Sequence, residues 1–207
     1  VKNIKDLEGK RVGTSGAYQS AYLDAMLEDN GVDPATVKDT NVGFDLNPAL
    51  VAGKVDATVG GYWNVEAIQL KQAGKPVTAT PVDKLGAPPY DELVIIASED
   101  TLNDQIKSDR IRQFLAGLKK GTADAKANPA LAVAALLKAD KTQDPTFVKA
   151  SVAATLPALT ANAVFGYLDP KKWDTYAKWM RDNNLLKNPP TTTDAFTNDL
   201  LPSTVPK

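Results

Sequence analysis

Residues 55–66 have the sequence Val-Asp-Ala-Thr-Val-Gly-Gly-Tyr-Trp-Asn-Val-Glu: an apolar run, two glycines, two aromatic residues and a carboxylate. The apolar run predicts a strand, and the pattern from Val65 to Lys71 predicts a helix. In an open α/β sheet, such strand-to-helix corners lie where ligands bind, outside the carboxyl ends of the strands. We predict that Tyr62 and Trp63 form a stacking platform for a flat, partly polar ligand. The alternative is that both rings pack into a core or cover a helix end.

Strand and helix signals alternate on both sides of this corner. Arg11–Thr14 predicts a strand, and a helix follows from about Ala17 to Asn30, with Leu23, Met26 and Leu27 on one face. A short helix beginning at the Asn-Pro pair and ending near Gly53 precedes the corner, and a helix ending near Gly74 follows it. The other predicted strands are Val42–Phe44, an edge strand Pro76–Pro81, and Leu93–Ala97, which is apolar enough to be buried on both faces.

The predicted elements divide the chain into two regions. Residues 1–97 predict an α/β ligand-binding lobe of the order β-α-β-α-β-α-β-β, with helices covering a small sheet. From about Thr101 the apolar period changes to 3.6, and residues 98–207 form a predicted helical region without a convincing strand. That region is either a bundle or the outer layer of a sheet that this sequence does not contain.

The composition narrows the classes of function. The 207 residues include 24 basic and 25 acidic side chains, a balance that provides no basic surface for nucleic acid. Cysteine and histidine are absent, which removes thiolate nucleophiles, imidazole bases and most zinc sites. We therefore predict no metal, no cofactor and no catalytic residue, and no apolar run is long enough to span a membrane.

Three further corners carry candidate ligand-binding residues. Ser15 and Gly16 join the first strand to its helix, where free N–H groups suit a phosphate, carboxylate or sulfonate; the alternative is that Ser15 caps the helix. Asn47 begins the next helix and is more readily explained as a cap. The carboxylate of Glu66 lies in the first turn of its helix, where the positive end of the helix dipole stabilises a negative charge. Its alternative role is to accept hydrogen bonds from a ligand amine. Tyr90 could flank a ligand, whereas the Asp and Glu that follow it are more often solvated.

Several segments resemble the NMT1/THI5-like solute-binding proteins of ABC importers, relatives of the sulfonate-, nitrate- and taurine-binding proteins. The run from Gly60 to Glu66 is the most specific and points to the binders of thiamine pyrimidine precursors. The other matching segments are Ile4–Gly13, Pro48–Leu50, Gly53–Ala57, Tyr90–Val94, Gly166–Asp169, Trp173 and Trp179–Met180.

The resemblance implies a periplasmic binding protein-like (type II) fold, in which two α/β lobes close on a ligand. In such proteins the Lys-Asp-Leu-Glu-Gly-Lys segment lies well inside the mature chain, so the N-terminal half of the first lobe is expected to be missing here. The helices from Thr101 would normally cover that lobe, and without it they would expose an apolar surface open to a second copy. Trp173 and Trp179 are expected to be core or interface residues.

The resemblance also implies a function and roles for individual residues. Ser15, Gly16 and Tyr18 would contact the polar or phosphoryl side of a solute, Tyr62 and Trp63 its ring, and Glu66 a ring amine, with Asn47 and Tyr90 as additional contacts. The implied protein is periplasmic, or extracellular and membrane-anchored, and delivers a small heteroaromatic or anionic solute to an ABC permease. The alternatives are a THI5-type pyrimidine synthase, disfavoured by the lack of Cys and His, and a ligand-sensing receptor domain.

Overall fold

The computed structural model describes residues 1–159, 164–188 and 190–202. Its sheet has three parallel strands in the order β2-β1-β3: β1 (Arg11–Thr14), β2 (Lys38–Asn41) and β3 (Ala57–Thr58). The α-helices are α1 (Ala17–Asp29), α2 (Leu46–Val51), α3 (Glu66–Gln72), α4 (Glu99–Asn103), α5 (Gln105–Ala127), α6 (Pro129–Ala139), α7 (Pro145–Leu159), α8 (Pro170–Asp182) and α9 (Thr192–Ala195). The mixed α/β class predicted from the sequence is thus confirmed, with one small parallel sheet and many helices.

The chain forms two compact units, and the sheet lies in the first of them. This unit comprises Val1–Pro89 and Thr175–Pro189, so that α8 contributes its later turns to it. The second unit comprises Tyr90–Asp174 and Pro190–Lys207. No helix in the described parts of the chain is both long enough and apolar enough to cross a membrane.

The core of the first unit lies between the sheet and α1. Leu23, Met26 and Leu27 are each no more than 1% exposed, as their spacing on one helix face predicts. Thr14 at the end of β1 is buried on the same side, because its hydroxyl lies 3.3 Å from Ser20 Oγ in α1. Side chains alternate along a strand, so Val12 shares this face and Gly13 points to the other.

Close packing explains the glycine at the centre of β1. A Cβ atom on Gly13 would lie 3.1 Å from Val42 Cγ2 and 3.3 Å from methyl groups of Val55 and Thr58. These distances are shorter than ordinary methyl contacts, and the three neighbours approach from the segments that flank β1. The absence of a side chain at Gly13 therefore allows these neighbours to pack closely on the second face of the sheet.

An ion pair joins β1 to the segment entering β3. Asp56 accepts hydrogen bonds from the Arg11 backbone N–H at 3.0 Å, from Nε at 3.0 Å and from Nη2 at 2.8 Å. This fork of charge-assisted bonds holds the pKa of Asp56 well below its usual range and raises the pKa of Arg11. It lies at the amino end of the sheet, opposite the corners that carry the candidate ligand residues.

Two predicted strands are absent, and a third is displaced. Val42–Phe44 was expected to be a strand, but β2 ends at Asn41, whose Oδ1 accepts the Gly43 N–H at 2.9 Å, and Gly43 has a φ of +57°. This local turn ends the strand. Strand β2 has a polar sequence, so a search for apolar runs does not identify it. Pro76–Pro81 and Leu93–Ala97 form no strand, because the sheet ends at β3 and, in the described chain, offers them no neighbour.

The helical part of the second unit buries little of its apolar surface. Leu115, Val148 and Val152 are buried, as the helical periods of α5 and α7 predict. Other apolar side chains of this unit are exposed, including Leu93 at 85% and Ile96 at 88%, contrary to the burial expected of that run. The last helix, α9, has only four residues and ends at Ala195.

Candidate functional site

The three strands end at one edge of the sheet, and two of the corners that follow them lie side by side. A Cβ atom on Gly60, after β3, would lie 3.5 Å from Gln19 Cγ and 3.9 Å from Ser15 Oγ, after β1. Gly60 has a φ of +94°, a conformation that glycine adopts without strain. The Ser15–Gly16 turn and the Gly60–Glu66 corner thus form one continuous surface at the carboxyl edge.

Ser15 does not cap α1. The N-cap residue is Gly16, at φ +143°, and no side chain within residues 1–159, 164–188 and 190–202 caps the helix by a hydrogen bond. The nearby Ser20 hydroxyl instead donates to the Gly16 carbonyl at 3.3 Å, and Thr14 Oγ1 donates to Asp39 at 2.8 Å. The capping alternative is therefore wrong, and the start of α1 keeps N–H donors available for an acceptor.

Tyr18 lies in an aromatic cluster formed by α1 and the later part of α8. Its hydroxyl is 3.2 Å from the Tyr176 hydroxyl, and its ring centroid is 6.1 Å from that of Tyr22. Tyr22 in turn packs edge-on against Trp179 at 4.9 Å, and Trp179 Nε1 donates to Asp29 at 3.2 Å. Tyr18 thus contributes to this cluster while it stays partly exposed, and Trp179, expected to be a core or interface residue, is partly covered there and is not buried in the core.

The Tyr62–Trp63 pair is exposed at the corner after β3. Trp63 is 52% exposed and Tyr62 is 37% exposed, so the core-packing alternative is wrong for both rings. Glu66 folds back onto the corner, and its Oε2 accepts the Tyr62 N–H at 2.7 Å. The carboxylate predicted to meet a ligand amine therefore already holds the backbone that carries the two rings.

Asn47 is neither a helix cap nor a free amide. Helix α2 begins at Leu46 with Asp45 as its N-cap residue, so Asn47 lies inside the helix. Its Nδ2 donates to the Glu66 carbonyl at 3.3 Å and to Gln69 Oε1 at 3.0 Å. Both amide donors thus tie α2 to α3, behind the aromatic corner.

Tyr90 belongs to the second compact unit, whereas the other predicted site residues belong to the first. The adjacent Asp91 is not the solvated loop charge that was expected. Its carboxylate is 19% exposed, and it accepts hydrogen bonds from Lys172 Nζ at 2.5 Å and Trp173 Nε1 at 3.1 Å. Trp173 also packs against Phe196 at 4.9 Å, but it is only partly covered and does not belong to the buried core.

Two residues that the sequence reasoning missed lie at the same sheet edge. Gln19 follows Ser15 by four positions, and this spacing puts both residues on one side of the α1 N-terminus. The spacing could have identified Gln19 as a candidate site residue. Phe44 follows β2 and is 98% exposed, which is unusual for a large apolar side chain. No pattern distinguishes Phe44 from an ordinary core phenylalanine.

Known proteins with similar sequences include binding proteins for heteroaromatic solutes. A Haemophilus influenzae protein named for thiamine biosynthesis is 31% identical over 189 residues, 90% of this chain. A formylaminopyrimidine-binding protein of Halalkalibacterium halodurans is 32% identical over 198 residues, 92% of this chain. A riboflavin-binding protein of Chloroflexus aurantiacus is 29% identical over 212 residues, 97% of this chain. The matches cover only 58%, 59% and 58% of these relatives, respectively.

Similarity at lower identity extends to enzymes. A 4-amino-5-hydroxymethyl-2-methylpyrimidine phosphate synthase of Legionella pneumophila is 21% identical over 207 residues, covering 99% of this chain and 63% of the synthase. The family model described as NMT1/THI5 like matches residues 1–132. These residues include both corners of the candidate site, and the match extends over more than half of the sequence. The chain belongs to the NMT1/THI5-like family.

Proposed function

We propose that this chain is the larger part of a solute-binding protein that captures a small, flat heteroaromatic solute, such as a thiamine pyrimidine precursor. The observation that carries the proposal is the exposed Tyr62–Trp63 pair at the carboxyl edge of the sheet. Aromatic rings held open at such an edge provide a stacking surface, and the adjoining uncapped start of α1 provides N–H donors for a polar or anionic group. The names of the relatives from H. halodurans and C. aurantiacus support this class of ligand.

The proposal extends to partners and location. We propose that the protein works outside the cytoplasm, either in a periplasm or tethered to the outer side of a membrane, and passes its solute to an ABC permease. Ligand capture would then require a second surface that closes over the rings by a hinge motion. The exposed apolar side chains of the second unit are a candidate contact between copies of the protein.

A synthase is the second candidate, because the L. pneumophila relative bears that name. The 207 residues of this chain provide no imidazole and no thiolate. Proton transfer or iron binding by those groups would therefore have to come from other parts of the protein. The binding role needs none of these groups and is the function we favour.

A binding experiment separates the two candidates. We expect mass spectrometry of the natively purified full-length protein to detect a co-purified heteroaromatic solute. We also expect titration calorimetry to show saturable 1:1 binding of formylaminopyrimidine, 4-amino-5-hydroxymethyl-2-methylpyrimidine or riboflavin. The solute should be recovered unchanged after prolonged incubation. Chemical conversion of the solute would favour the synthase, and absence of binding to all three compounds would contradict the proposed function.

Glu66 provides a more local prediction. If its role is to hold the corner through the Tyr62 N–H, Glu66→Gln should keep affinity within about twofold, because the amide oxygen still accepts that bond. Glu66→Ala should weaken binding by roughly 2–12-fold, the range for loss of one hydrogen bond. Calorimetry with the co-purified solute measures both variants. An equal loss in Glu66→Gln and Glu66→Ala would instead show that the negative charge contacts the solute directly.

A further inference from the structure

Gln19 lies between the two corners that form the candidate site. It is the third residue of α1, one helical turn after Ser15. The position of a Cβ on Gly60 would be 3.7 Å from Gln19 Nε2 and 3.9 Å from Ser15 Oγ. The amide and the hydroxyl therefore converge on the backbone two residues before the exposed Tyr62–Trp63 pair.

The amide of Gln19 is half-buried but is not used by the fold. Within the described residues, neither its side chain nor the Ser15 hydroxyl makes a hydrogen bond. Other amides of the first unit are engaged: Asn30 donates to two carbonyls at 2.9 and 2.8 Å, and Asn47 donates to a carbonyl and to Gln69. Both groups are only partly covered, so they stay accessible to a solute, and no internal bond has to be broken before they can bind one.

The chemistry of a primary amide indicates what it would bind. Its carbonyl accepts, its NH₂ donates, and both lie in one plane, which matches a ring edge with a donor and an acceptor side by side. Glutamine and asparagine recognise the ring nitrogen and exocyclic amino group of adenine in this way. An oxyanion would use only the donor half of the amide.

We propose that Gln19 is a specificity-determining residue that hydrogen-bonds the donor–acceptor edge of a flat heteroaromatic solute, with the Ser15 hydroxyl beside it. The proposal rests on the function proposed above, because it requires the solute ring to lie against Tyr62 and Trp63. It also requires that the solute turn its donor–acceptor edge towards Gly60, because the Gln19 amide lies beside that residue. Aminopyrimidines have such an edge, with a ring nitrogen next to an exocyclic amino group.

A ligand–variant cycle tests this role. The probes are 4-amino-5-hydroxymethyl-2-methylpyrimidine and its analogue without the 4-amino group, titrated into the full-length protein by calorimetry. We expect the wild type to prefer the amino compound by about tenfold, the scale of one bidentate pair. In Gln19→Leu the preference should shrink to within about twofold. Gln72→Leu, an exposed glutamine at the end of α3, is the matched control and should leave the preference unchanged.

A third probe separates this role from anion binding. The probe is the phosphate ester of the same aminopyrimidine. We expect the ratio of its affinity to that of the parent compound to be the same in wild type and in Gln19→Leu. If Gln19→Leu removes the effect of the phosphate and keeps the amino preference, the amide serves an oxyanion and the proposal is overturned. An unchanged amino preference in Gln19→Leu also overturns it, while the binding function stands. Failure of the wild type to bind these pyrimidine probes overturns this inference, and failure to bind formylaminopyrimidine and riboflavin as well overturns the proposed function.

Gln19→Asn provides a second variant should Gln19→Leu fold poorly. It keeps the amide and removes one methylene, so the amide no longer reaches the same position. We expect it to reduce the amino preference at least threefold while circular dichroism and the unfolding midpoint remain those of wild type. A full amino preference in a folded Gln19→Asn protein contradicts the assigned role.

Discussion

Leu23→Ala should lower the free energy of unfolding by about 2–5 kcal/mol, which is the cost of deleting buried methyl groups and leaving a cavity. Leu23 is 1% exposed on the face of α1 that covers the sheet, between the equally buried Tyr22 and Ala25–Leu27 segments of the same helix. Interiors are close-packed, so neighbouring side chains collapse only partly into the space. Urea denaturation followed by circular dichroism measures the effect.

The matched control is Leu131→Ala in α6, where the leucine is 57% exposed. We expect a change within about 0.5 kcal/mol, because an exposed side chain has little apolar area to return to water. A similar loss in both variants would contradict the location of the core.

Local patterns predicted the part of the fold that positions the candidate site. Strand β1 and helix α1 follow their sequence signals within a residue, because a short apolar run ends at Ser-Gly and a 3.6-residue stripe begins after it. The Gly60–Glu66 corner was equally predictable, since glycine and a change of period mark it. That Ser15 and Gly60 lie close together was expected only in outline, from the rule that parallel strands end at one edge.

Burial was harder to predict than secondary structure. Leu93–Ala97 has the composition of a strand buried on both faces, but burial requires neighbours that a hydropathy pattern cannot show. In the described chain no strand pairs with it, and Leu93 and Ile96 remain exposed. The same reason explains why the apolar residues Ile106 and Phe114 of α5 are 68% and 55% exposed.

Side-chain partners distant in sequence were not predictable at all. Asp91 was expected to be solvated, but its partners Lys172 and Trp173 follow it by 81 and 82 positions. Asn47 had the sequence signature of a cap, but it bonds Gln69, 22 positions later. Residue type and local spacing suggest what a polar group can do. The fold then decides whether that capacity is used internally, as in Asn47, or left open, as in Gln19.

Trp63→Ala should weaken solute binding by about 1–3 kcal/mol, which is roughly 5–150-fold in Kd and matches the loss of one stacking ring beneath a base. Trp63 is suited to this role because it is 52% exposed, and the Glu66 bond to the Tyr62 N–H fixes the backbone beside it. Its removal should affect stability little, since a half-exposed ring contributes less to the core than Leu23. Calorimetry with the co-purified solute and a parallel urea titration measure both quantities.

Two further variants test whether the loss of affinity depends on an aromatic ring and on its position at residue 63. Trp63→Phe keeps a flat aromatic face and should retain most of the affinity for the solute. If the indole N–H instead bonded the solute, Trp63→Phe would lose as much affinity as Trp63→Ala. Trp179→Phe removes an indole from the same compact unit but from the α1–α8 cluster, where its Nε1 bonds Asp29. It should lower stability and leave affinity unchanged. Wild-type affinity in a folded Trp63→Ala protein would show that the solute does not stack at this corner.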